Sequence, residues 1–185
     1  MKKFLIPTLA LIVALASCSK PTPATDSAQA PVVDTLGVKN KELVKKYIDA
    51  VITGNTTTMG DYLADGYVGH GPAMKDSVNK QQNTENWKKS WDEQFSSIKY
   101  DEVVSLTPSI KPETSARAAG DWVLTWGIIS AEYKNGTPPV KFNLHVAYRV
   151  TNGKIDMSYV YYNVADILTQ QGFTFVPPAK KDAKK

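Results

Sequence analysis

Asn152-Gly153, set between two β-branched and aromatic runs, constrains this chain more than any other pair of residues. Both residues tolerate the positive φ of a type I′ turn, so the pair predicts a two-residue hairpin. That turn sets Thr151 opposite Lys154, and the later pairs follow from it. Val150 opposes Ile155, Tyr148 opposes Met157, Val146 opposes Tyr159, Leu144 opposes Tyr161 and Phe142 opposes Asn163, all on one face. The other face receives Arg149 opposite Asp156, Ala147 opposite Ser158, His145 opposite Val160 and Asn143 opposite Tyr162. The first face is apolar and the second carries an opposed charge pair. Helices are therefore expected to cover the first.

The remaining elements fall around this hairpin. Asn40 is the expected N-cap of a first helix, in which Leu43, Val44, Tyr47, Ile48, Val51 and Ile52 form one stripe. Thr57 to Leu63 predicts a short second helix, and Tyr67-Val68-Gly69-His70 a strand that breaks at Gly71-Pro72. A third helix follows, with Trp87, Trp91 and Phe95 every four positions as core packing. Strands are expected at 100–107, 121–133, 140–151 and 155–163, then a short helix ending on Gly172. Helices first and an antiparallel meander afterwards indicate an α+β domain. If Asn135-Gly136 also turns tightly, Val123, Thr125, Gly127 and Ile129 join the covered face. Trp122, Leu124, Trp126 and Ile128 then form an apolar outer patch, a candidate dimer interface.

The two ends read differently from the domain. Met1-Lys2-Lys3, the apolar run Phe4 to Ala14 and the small residues before Cys18 form a secretory signal, too short for a membrane-spanning helix. Leu15-Ala16-Ser17-Cys18 resembles a bacterial lipobox, which implies that Cys18 is acylated. As the single cysteine, Cys18 excludes an internal disulfide and a cysteine-based metal site. Residues 1–17 are thus expected as signal, 18–37 as the lipidated cysteine and a disordered tether, 38–175 as the domain, and 176–185 as a basic tail. The tether, rich in Pro, Ala, Thr and Ser, reaches roughly 20–25 Å. Of the net charge of +4, the signal and the tail lysines carry most, leaving the domain near neutral. No nucleic-acid-binding face is expected. The expected location is the cell envelope, anchored to the outer membrane and facing the periplasm, since Ser19 is not an aspartate.

Tyr67 to Pro72, Asn152-Gly153-Lys154-Ile155 and the stretch from Asn163 to Gln170-Gln171-Gly172 together resemble SnoaL-like proteins of the nuclear transport factor 2-like superfamily, over about residues 38–175. The resemblance implies a cone-shaped fold, N-terminal helices packed on a curved antiparallel sheet, with a mostly apolar pocket. It also implies homodimers through the outer sheet face. Catalytic members of that family, which resemble polyketide cyclases and ketosteroid isomerases, place an acid seven positions before the Gln-x-Gly ending. Here that position is Asn163, and an amide cannot take a proton from carbon, although it can hydrogen-bond a ligand oxygen.

His70, at a strand end near the expected pocket mouth, is the candidate acid-base; the alternative is a histidine bonded to a loop carbonyl. His145 falls on the outer face. Tyr67, Trp91, Tyr159, Tyr161 and Asn163 are candidate ligand-binding residues, the aromatic ones fitting the core equally well. Asp61 and Asp65 read as solvated acids or caps, or as an alternative base. No metal-ligand spacing, phosphate loop or Gly-x-Ser-x-Gly motif occurs, so no metal or cofactor is expected. Three readings follow: a lipid-anchored binder of a small, mostly apolar molecule, without catalysis; an isomerase, dehydratase or cyclase using His70; and a structural or partner-binding module.

Overall fold

Residues 34–176 are described by the computed structural model of the chain. The expected signal, Cys18, the tether up to residue 33 and the tail from residue 177 lie outside them. Helix α1 spans Thr35–Ile52, and Asp34 caps it by accepting from the Gly37 amide at 2.8 Å. The cap therefore lies upstream of Asn40, which is buried inside the helix beside Val44, Tyr47 and Ala50. Gly37 looks like a helix breaker in sequence. It is needed here because a Cβ would strike the Asp34 carboxylate and Thr107. Helix α2 (Thr56–Asp61) is capped by Asn55, and α3 (Lys80–Glu93) starts with a reciprocal capping box between Asn79 and Gln82.

The strands are β1 (Leu63–His70), β2 (Ser77–Asn79), β3 (Phe95–Leu106), β4 (Ser109–Ile110), β5 (Gly120–Tyr133), β6 (Val140–Thr151) and β7 (Lys154–Tyr161), followed by helix α4 (Val164–Gln170). They form one curved, open sheet in the order β2-β1-β7-β6-β5-β3, with β4 on β5. β1 joins β7 in parallel, so the sheet is mixed rather than a pure meander. The α+β architecture expected from the sequence is present.

The hairpin turns where the sequence places it, with φ of 51° at Asn152 and 70° at Gly153. Thr151 pairs with Lys154 and Val150 with Ile155, but Arg149 then pairs with Met157. Asp156 is the extra residue of a β-bulge. Beyond it Tyr148 opposes Ser158, Ala147 opposes Tyr159, Val146 opposes Val160 and His145 opposes Tyr161. The faces of β7 are thereby exchanged relative to the unbroken ladder. Tyr159 and Tyr161 lie on the outer face, and Ser158, Val160 and Tyr162 turn inward. The faces of β5 and β6 agree with the sequence reading, Val123, Thr125, Gly127 and Ile129 lying inward against Tyr148, Val146, Leu144 and Phe142.

The bulge is clamped from the side. The Asp156 carboxylate accepts from Arg149 Nε at 2.9 Å, Arg149 Nη2 at 3.0 Å and Thr151 Oγ1 at 3.1 Å. Both charged side chains are mostly buried, and the Arg149 guanidinium also lies over the Trp122 ring. Asp156→Ala is expected to lower stability by about 2 kcal/mol, the worth of charge-assisted bonds in a shielded site. Urea unfolding measures this; an unchanged midpoint would mean that the backbone alone holds the bulge.

Candidate functional site

A cavity of about 390 Å³ lies between the inner sheet face and helices α1, α3 and α4. Most of its wall is apolar: Ile48, Val51 and Ile52 from α1, Trp87 from α3, Ile129, Leu144 and Val146 from the sheet, and Ile167 and Leu168 from α4. Two glycines shape it. At Gly127 a Cβ would overlap the Tyr100 ring, so the space left in β5 is filled by that ring. At Gly69 a Cβ would crowd the Tyr67 hydroxyl, so the missing side chain lets Tyr67 reach inward. A second hollow shares Tyr67, Asn83, Ser158 and Tyr162 with the cavity and leads out to the loop of residues 71–76 between β1 and β2 as a vestibule.

The polar groups facing this space are almost all hydroxyls. Tyr67 Oη and Ser158 Oγ are 2.7 Å apart, and Asn83 Nδ2 donates to Tyr47 Oη at 3.2 Å. Tyr100 Oη reaches Thr125 Oγ1 at 3.4 Å, and Thr125 in turn donates to the Val146 carbonyl at 3.3 Å. Tyr148 meets the Tyr47 ring edge-on, with centroids 5.7 Å apart. Its side chain is buried and lines the cavity. Burial, with the neighbouring phenols adding to it, pushes the Tyr47 and Tyr148 hydroxyls far above the ordinary phenol range. Burial raises Tyr67 as well, against a smaller opposing effect from the Ser158 hydrogen bond. All three are protonated donors at neutral pH. Among the described residues, no carboxylate, histidine, cysteine, lysine or arginine lines the cavity.

Of the candidate residues from the sequence, Tyr67 alone lines the cavity. Tyr159 stacks between His70 and Trp122 on the outer face, at centroid distances of 4.7 Å and 6.2 Å. Tyr161 is 53% exposed and stacks on His145, which in turn stacks on Trp126. The bulge at Asp156 is the reason for both displacements. Trp91 sends its Nε1 hydrogen to the Val51 carbonyl at 2.8 Å and covers Gly54, and Trp87, one turn earlier, takes the position on the cavity. Asn163 caps α4 through a bond from the Asp166 amide at 3.1 Å and is not a lining residue. His70 borders the vestibule while its ring lies nearly parallel to Tyr159. Asp61 and Asp65 belong to a separate open hollow, where Lys80 bonds Asp65 at 3.0 Å.

Sequence reasoning missed Ser158, Asn83, Tyr162 and Tyr100 as site residues. Tyr148 and Tyr47 were legible as inward-facing but not as the polar centre of a site. Among the described residues no three His, Cys, Asp or Glu side chains gather to hold a metal, and no helix is long and apolar enough to cross a membrane.

Neither a protein-family model nor a curated protein matches the chain. Solved structures do. A candidate isomerase from Bacillus subtilis superposes with a TM-score of 0.58 at 13% identity, covering 76% of this chain and 97% of that one. A hypothetical protein of ketosteroid isomerase-like fold from Catenulispora acidiphila, in complex with trimethylamine, gives 0.56 at 16% identity, covering 74% and 98%. A candidate polyketide cyclase from Pseudomonas putida gives 0.56 at 16% identity, covering 70% and 96%. The chain has the nuclear transport factor 2-like fold that these proteins share. At such identities the likeness shows the fold, and the chemistry rests on the cavity's own residues.

The phenols give a pH dependence with a definite sign. Unfolded tyrosines ionise near their ordinary value of 10.0, whereas buried Tyr47 and Tyr148 keep their protons above it. Above about pH 10 the unfolded chain therefore binds fewer protons than the folded one, and stability falls as pH rises. Urea midpoints should drop between pH 9 and pH 11, and by less in Tyr148→Phe. The same drop in both proteins would remove Tyr148 from this linkage.

Proposed function

We propose that the domain holds a small, mostly apolar molecule through one hydrogen-bond-accepting oxygen and does not turn it over. The observation that carries this reading is a mostly apolar wall whose polar groups include the protonated phenols of Tyr47, Tyr67 and Tyr148, with no general base among the described lining residues. A neutral carbonyl, ether or hydroxyl oxygen suits a protonated phenol, and an apolar body suits the remaining wall. A ligand carboxylate would enter without a cation to meet it, at a desolvation cost of several kcal/mol. Proton abstraction from carbon needs a base poised near the working pH. The phenols here are too weakly acidic to supply one, and His70 stacks on Tyr159 instead of lining the cavity.

Native mass spectrometry of the purified protein should find a bound neutral molecule. Tyr148→Phe should weaken its binding about tenfold, the loss of one buried hydrogen bond, while leaving the fold intact. Turnover of that molecule, abolished by His70→Ala, would contradict the non-catalytic reading.

We also propose that Cys18 is acylated, tethering the domain to the cell envelope, and that the outer sheet face pairs two copies. The lipobox-like sequence supports the first, and partly exposed Trp126, Tyr161, Val104 and Leu106 support the second. Fatty-acid labelling that is lost in Cys18→Ser, and a dimer in sedimentation, are the expected outcomes. Labelling that survives Cys18→Ser would contradict the first, and a monomer at high concentration the second.

A further inference from the structure

The vestibule is built from other chemistry than the cavity it joins. Helix α3 turns one face toward it, carrying Asn83, Asn86, Trp87 and Ser90 at the three- and four-residue spacing that shares a side of a helix. The charged residues of α3 go elsewhere. Lys88 pairs with Asp92 and Lys89 with Glu93 on the exposed side, while Lys80 and Glu85 belong to the separate hollow of Asp61 and Asp65. From a helix rich in lysines and acids, the vestibule therefore receives two amides, a hydroxyl and an indole ring.

The facing wall has no dominant sign of charge and is fixed in place. Lys75 and Asp76 sit side by side on the loop, opposite in sign, and His70 borders the space with its ring against Tyr159. Tyr162 keeps its proton, burial opposing its ionisation first and the nearby Asp76 carboxylate adding to that. The loop closes on itself. The Gly71 amide donates to the Asp76 carbonyl at 3.2 Å, the Asp76 amide to the Ala73 carbonyl at 2.9 Å, and the Ala73 amide to Asp76 Oδ2 at 3.3 Å. A Cβ at Gly71 would strike Asp76, so a glycine is what lets the turn close this tightly. At about 590 Å³ the vestibule is larger than the cavity, and Tyr67, Asn83, Trp87 and Ser158 line both. An apolar molecule confined to the cavity would leave this polar space to water.

We propose that the molecule whose apolar body fills the cavity carries an uncharged head with several hydroxyl groups, a sugar or similar polyol, and that this head lies in the vestibule. The proposal rests on the cavity's role in holding an apolar body and makes its ligand a neutral amphiphile. The Asn86 amide and the Ser90 hydroxyl each donate and accept, as a ligand hydroxyl also does, so each can satisfy the other fully. A charged head would be attracted by one of Lys75 and Asp76 and opposed by the other, with little to offset the water it loses.

Isothermal titration calorimetry of the purified protein with 1-octanol, octyl β-glucoside and octyl sulfate, each kept monomeric, tests this. The three probes share one chain and differ in the head. The glucoside should bind about tenfold more tightly than octanol, the effect of one or two hydrogen bonds. Asn86→Ala combined with Ser90→Ala should bring the glucoside to octanol's affinity and leave octanol unchanged, alanine being the better helix former at both positions. A glucoside that binds no more tightly than octanol would overturn the hydroxylated head while the cavity reading stands. If neither binds, both readings fail. A double variant that weakens octanol and glucoside alike would give Asn86 and Ser90 a structural role, and octyl sulfate binding tightest would make the head anionic. Either result overturns the proposal.

Discussion

The paired bonds between Arg149 and Asp156 hold the one irregularity on which the site depends. Asp156 adds a residue to β7, and everything after it changes sides. Ser158 then enters the inner layer beside Tyr67, where there is little room: Gly69 already lacks the space for a Cβ. A tyrosine at that point would meet both Tyr67 and Tyr148. Tyr159 and Tyr161 find stacking partners outside instead, in His70, Trp122 and His145. Ser158, Val160 and Tyr162 go in, Tyr159 and Tyr161 go out, and the charge pair stays where the unbroken ladder would also have put it.

The cavity that results is unusual in having polarity without a titratable group in the neutral range. Its phenols are buried, mutually close and protonated. Such groups orient a ligand by donating hydrogen bonds, and a low-dielectric surround strengthens each bond they make. The same surround penalises any ligand that brings a charge. Under the proposed binding role, such a wall favours a neutral, oxygen-bearing, mostly apolar molecule. Gln170 bonds both the amide and the carbonyl of Lys141, at 2.9 and 3.0 Å, as a neighbouring strand would. These bonds are exposed.

Much of this was legible in the residues. Asn152-Gly153 gave the turn, and alternation along β5 and β6 gave the faces of Val123, Thr125, Tyr148 and Val146, because one apolar face admits only one phase. The bulge was not legible, since Arg149 and Asp156 satisfy either ladder and nothing local distinguishes them. That single missed residue put Tyr159 and Tyr161 inside and Tyr162 outside. Asn163 was read through a family pattern, where an acid would act on a ligand, and its side chain instead caps α4. Asn40 was read as a cap because Gly37 hid the first turn of α1. Trp91 and Trp87 share one helical stripe, and only the packing of α3 over Gly54 separates the structural ring from the one on the cavity.

The most direct measurement is a crystal structure of the protein with the molecule it retains when purified from its own cells. The expected result is an apolar body filling the space between α1, α4 and the sheet, with one neutral oxygen about 2.7 Å from Tyr148 Oη. A cavity holding only water, or a ligand whose polar contacts are with His70 or Asn163 instead, would contradict it.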